Sequence, residues 1–132
     1  MFPGVHDSLL VAYSVDSSTG MLVLSVEPHH DSAPEPFTVA FSGAVAHCFD
    51  TPLLPAILYG ITQVPAADLI RSEWPVIERG FKLGGWPGHW ASSLGAALAF
   101  LEASDLKGFQ IESSIGLSGW VLAESVLAAS GP

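Results

Sequence analysis

Side chains able to do chemistry gather at three places in this chain: His6-Asp7, His29-His30-Asp31, and His47-Cys48 with Asp50. Imidazole, thiolate and carboxylate are the ligand types that suit zinc. Their spacing matches no closed pattern, since neither Cys-x-x-Cys nor His-Glu-x-x-His is present. His29 and His30 are adjacent, so on a strand they would point opposite ways and supply one ligand at most. His6, His29 and His47 are weak candidate ligands. We read them as solvated or hydrogen-bonded histidines, and expect no metal and no cofactor.

The remaining chemical candidates are weaker still. Cys48 stands beside His47, but sequence neighbours rarely form a catalytic pair, and nearby acids raise a thiol pKa. Ser118 lies in Gly116-Leu117-Ser118-Gly119-Trp120, where Trp120 takes the place of the second glycine of a nucleophile elbow. Gly80-Phe81-Lys82-Leu83-Gly84-Gly85 fits neither a dinucleotide fingerprint nor a P-loop. Glu112, Glu124 and Asp7 would need to converge in a cleft to act as acid and base. No catalytic residue is assigned. Trp86, Pro87, His89 and Trp90, set among glycines, are of more interest. Tryptophan is enriched in interface hot spots, so this loop either grips a partner or folds back as a lid on the sheet.

Charge gives the firmest reading. Seven acids (Asp7, Asp16, Glu27, Asp31, Glu35, Asp50 and Asp68) precede the first basic side chain, Arg71. The net charge is −9, although only 13% of residues are charged. Such a chain repels phosphate backbones and anionic lipid, so nucleic acid and membrane are poor partners and a basic protein is a good one. The mean hydropathy of +0.46 is high, and self-association would hide the excess apolar surface. A single cysteine precludes an intrachain disulfide and suits a reducing compartment. Met1 to Tyr13 carries an acid and no base, unlike a secretory leader. We therefore expect a cytoplasmic location.

The 132 residues fit one domain, with 128–132 expected to fray. Leu9, Val11, Tyr13 and Val15 alternate, as do Leu22, Leu24 and Val26, with Ser17 to Gly20 as the turn between them. Pro28 to Pro36 should be a loop, and Phe37, Val39 and Phe41 a third strand. Pro52 and Pro55 argue against a central strand or continuous helix over residues 44–56. A fourth strand should end near Val64. Pro65 should open a helix to about Glu73, stopped by Trp74-Pro75. Gly80 to Gly88 reads as a loop. Ser92 or Ser93 should cap a second helix, closed by Lys107-Gly108. Phe109 to Ile115, and Trp120, Leu122 and Val126, would form a last hairpin. The sum is α+β: a mainly antiparallel sheet of about six strands with two helices on one face.

His6-Asp7-Ser8 with Leu9-Leu10, then Asp16, Gly20 and Leu22-Val23-Leu24, resembles a group of small uncharacterised bacterial proteins. Phe41-Ser42-Gly43 and Ile111-Glu112-Ser113-Ser114 extend the resemblance. Some proteins of that appearance are immunity proteins that bind and neutralise toxins encoded beside them. The resemblance implies a non-enzymatic binding module. In that reading Asp7, Asp16, Glu27, Asp31 and Glu35 steer a cationic partner, and Trp86 and Trp90, with His89, hold it. The alternatives are a small enzyme or ligand-binding protein, using His6, Asp7, His47 and Glu112 in a pocket between helices and sheet, and a structural homodimer.

Overall fold

The computed structural model describes residues 5–28 and 35–130. The strands are β1 (Leu9–Asp16), β2 (Met21–Glu27), β3 (Phe37–Ser42), β4 (Ala46–Asp50), β5 (Ala56–Val64), β6 (Lys107–Ile115), β7 (Ser118–Ala123) and β8 (Ser125–Ser130). Two α-helices, α1 (Ala66–Gly84) and α2 (Leu94–Glu102), lie between β5 and β6, separated by a 3-10 turn over His89–Ala91. The fold is α+β and the sheet is antiparallel throughout, in the order β4-β7-β6-β5-β1-β2-β3-β8.

Among the described residues the sheet has eight strands, not about six. β4 was hidden by Pro52 and Pro55, but it ends at Asp50, before either proline can cost it a ladder bond. The expected last strand is two, broken at Glu124, and β8 runs through Ser130 where a frayed tail was expected. β8 is held because Phe37 to Ser42 pair with Ser130 to Ser125.

These extra strands close the sheet. Gly43 to Val45 join β3 to β4, and Glu124 alone joins β7 to β8. β3 pairs with β8 while β4 pairs with β7, so two bent chains run side by side along their length. Because β4 continues β3 and β8 continues β7, the strands curl round one interior as a barrel, while the end strands β4 and β8 pair only with β7 and β3 among the described residues. Its interior takes alternate residues from successive strands, among them Leu10, Leu24, Val39, Leu58, Ile111 and Val121, all essentially inaccessible to water. Phe41 and Phe109 meet across this interior with ring centroids 5.2 Å apart. The seam is incomplete. Among the described residues β1 meets β5 only at Leu9 and Leu10, and the rest of β1 pairs with β2 alone.

The helices cover the outside of β4 and β7. Ala66, Leu69, Ile70 and Ile77 form the apolar stripe of α1, and with Ala97 of α2 they pack on Ala46, Trp120 and Leu122. α1 continues to Gly84, past the expected stop at Glu73. Pro75 removes one helical N–H, but it sits on the exposed face, where water can serve the freed carbonyl. Gly80 to Gly84 are therefore helix rather than loop. Ser93 caps α2 as expected, its Oγ accepting from the Ala96 amide at 3.0 Å. α2 ends early, at Glu102, and the Ser104 hydroxyl donates to the Phe100 carbonyl at 2.7 Å. Lys107 and Gly108 thus open β6 instead of closing the helix. No helix among the described residues is long and apolar enough to cross a membrane.

Candidate functional site

Beyond Leu10, β1 leaves β5 and carries the hairpin turn into β2 out over the β3–β4 bend. Tyr13 meets Phe49 of β4 edge-on at 5.1 Å, which holds the hairpin against β4. Below that contact the two diverge and enclose a groove of about 260 Å³. One wall is Val15 and Asp16 of the hairpin, the other Val45 and His47, and the loop after α1 closes the end with Trp86 and Pro87. Three residues singled out in the sequence for different reasons, Asp16, His47 and Trp86, thus face one space.

Each is fixed by its own neighbours. Asp16 Oδ1 accepts from the Ser18 hydroxyl at 2.6 Å and from the Ser18 amide at 2.9 Å, the bonding of an Asx turn. Those two bonds, the hydroxyl's first, hold its carboxyl below the ordinary carboxylate value. His47 is half-buried, with its ring 5.1 Å from that of Phe49. Burial pushes its imidazole below 6.5, so the ring is neutral at pH 7. Trp86 packs 6.0 Å from Trp120 and lies over Gly80, where a Cβ would come within 2.5 Å of the indole. Glycine at position 80 is what lets the ring rest on α1.

The other candidates do not join this group. Trp90 stacks on Phe100 of α2 at 4.9 Å, and His89 is exposed with its ring 6.4 Å from Phe81. The aromatic loop is thus divided: Trp90 serves helix packing, and Trp86 serves both the core and the groove. His6 Nδ1 contacts the Tyr59 carbonyl at 3.1 Å, and its Nε2 lies 3.5 Å from Asp7. The Asp7 amide donates to the Leu58 carbonyl at 2.8 Å, so His6-Asp7-Ser8 ties the start of β1 to β5. Glu112 is exposed on β6 opposite Gly60, and none of His6, Asp7 and Glu112 lines the groove with His47. Glu27 borders a separate hollow with Val11 and Phe37, and Glu35 is exposed just before β3. His29, His30 and Asp31 lie outside the described residues.

Cys48 points to the opposite side of β4 from His47 and packs against the helix layer. Burial first, then Asp50 and Glu73, pushes its thiol up. Ser118 Oγ accepts from the Ser113 amide at 3.0 Å, and a strand follows it, not the helix a nucleophile elbow requires. Glu124, exposed at the bend, donates its amide to the Ser42 carbonyl and has its own carbonyl taken by Lys107 Nζ at 3.0 Å. Among the described residues no three His, Cys, Asp or Glu side chains come together to hold a metal ion.

The groove itself was missed in the sequence, because its walls belong to segments far apart in the chain. The nearest signal was the run of turn residues Ser17 to Gly20, which announces the hairpin but not what it leans on. Comparison of the chain with protein-family models, with curated proteins and with solved structures finds no match.

Proposed function

We propose that this protein is a non-enzymatic binding module that docks a cationic protein, in the manner of an immunity-type inhibitor. The separation of charge carries the reading. Three of the four basic side chains, Arg71, Arg79 and Lys82, lie on the outer face of α1, and Lys107 is engaged by backbone carbonyls. β1 to β5 contain no lysine or arginine, while Asp16, Glu27, Glu35 and Asp50 are exposed there. Negative charge with no lysine or arginine along β1 to β5 steers a basic partner, and the groove beside Asp16 supplies a place to hold it. Association should be fast at low salt and fall steeply as ionic strength rises. Recovery of a basic protein from native lysate in low salt, lost when Asp16, Glu27 and Glu35 are all changed to lysine, is the test. Recovery that ignores the reversal contradicts the proposal.

A homodimer is the second reading, and Leu127 favours it. That side chain is 68% exposed on β8, which pairs with β3 alone among the described residues. Uncharged edge strands of this kind readily pair with another chain. Light scattering at micromolar concentration tests it, and a monomeric mass removes it.

A further inference from the structure

We propose that the groove between the β1–β2 turn and β4 is a socket for one arginine side chain presented by the partner. Asp16 takes the guanidinium charge and Trp86 flanks its plane. This rests on the binding reading above and adds the chemistry of what is bound.

Size comes first. At about 260 Å³ the groove is below the ~300–1,000 Å³ of sites that bury a drug-sized molecule, yet it has room for one long side chain. Charge comes next. Among the described residues Asp16 is the one acid in the lining, and none of them is lysine or arginine. A phosphate or carboxylate would be repelled by Asp16 and find no cation there. The Ser18 bonds both fix the carboxylate in position and keep it ionised, so little is lost in ordering it when a cation arrives. His47, held neutral by burial, adds no competing positive charge.

Shape selects between the cations. Trp86 is braced from behind by Gly80 and Trp120, and Pro87 continues the wall. A planar guanidinium stacks on an indole and bonds a carboxylate side-on, whereas an ammonium is a compact, strongly hydrated point charge. Val15 and Val45 suit the methylene stem.

The probe is acetyl-arginine amide, titrated into the isotope-labelled full chain and followed by the Trp86 indole N–H and the His47 amide resonances. Acetyl-citrulline amide is the neutral isostere. Saturable shifts at both positions are expected, with Kd of roughly 1–10 mM, as befits one side chain. Citrulline should bind at least about fivefold more weakly. Asp16→Asn, which keeps an oxygen for the Ser18 turn, should reduce arginine to the citrulline level. Equal binding of the two probes, or arginine binding unaffected by Asp16→Asn, overturns the socket. If a salt-sensitive basic partner is captured while arginine leaves the groove resonances unmoved, the socket is wrong and the binding reading survives. If arginine enters but no such partner exists, the socket stands and the binding reading falls.

Discussion

Trp120 of β7 donates its indole Nε1–H to Glu73 Oε1 of α1 at 3.0 Å, across the interface between the barrel wall and the helix layer. Trp120 is 4% exposed, so this bond satisfies a donor that water could not reach. Glu73→Ala should destabilise the fold by ~1–3 kcal/mol, because it leaves the indole N–H unmet. Glu73→Gln keeps an acceptor and should cost less than about half of that. Urea midpoints of the two variants check the ordering, and equal losses would show that the bond does not matter.

The same carboxylate bears on Cys48. Burial, Asp50 and Glu73 all raise the thiol above its ordinary 9.0, so alkylation of the native protein at pH 7.5 should be much slower than of the unfolded chain. Glu73→Gln should speed it modestly. The raised value also sets a sign: Cys48 contributes stability that is present below about pH 9 and lost as pH rises through the folded value.

His47 acts in the opposite direction. Its folded value is depressed below 6.5, so the stability it contributes is present above that pH and lost as pH falls through the folded value. Asp16 is depressed too, but from 3.8, and so does not contribute in the same window. His47→Gln should therefore flatten the decline in stability between pH 6.5 and the histidine's folded value, leaving the decline below pH 4 in place. A ring titration of His47 by NMR at or above 6.5 would contradict the burial.

Trp86 answers the choice posed by the aromatic loop. It is half-buried against Trp120 and Gly80, so Trp86→Ala should cost about 1–3 kcal/mol, less than the full price of a core tryptophan. Trp86→Ala should also abolish capture of the basic partner under conditions where the variant remains folded by circular dichroism. A variant that unfolds outright would make the residue a lid alone.

Gly119 tests the closure of the barrel. A Cβ there would run into the Cys48 carbonyl and within 2.9 Å of Phe49 Cα, both on β4. Backbone cannot give way as a side-chain tip can, so Gly119→Ala should cost more than ~2 kcal/mol by thermal denaturation. A neutral outcome would mean that β4 does not pair with β7 this closely.

The sequence disclosed what is local and hid what is not. The alternation of Leu9 to Val15 and of Leu22 to Val26 marked β1 and β2, because one face of each is buried and the turn residues between them are unambiguous. β4 escaped because Pro52 and Pro55 cast their influence over a segment that stops just short of them. Pro75 misled for a related reason: its preference against helix is real, but the stripe of Leu69, Ile70 and Ile77 buries enough apolar surface to override it. Barrel closure depends on β3 finding β8 and on β4 finding β7, pairings that no local pattern encodes. The groove inherits that invisibility, since Asp16, His47 and Trp86 become neighbours only once the ring has formed.

The most direct measurement compares capture of a basic protein by the wild-type chain and by the triple lysine variant Asp16→Lys, Glu27→Lys, Glu35→Lys, in 50 mM and 500 mM salt. The account predicts recovery by the wild type in low salt only, and none by the variant. Recovery by both chains at both salt concentrations, or by neither, would contradict it.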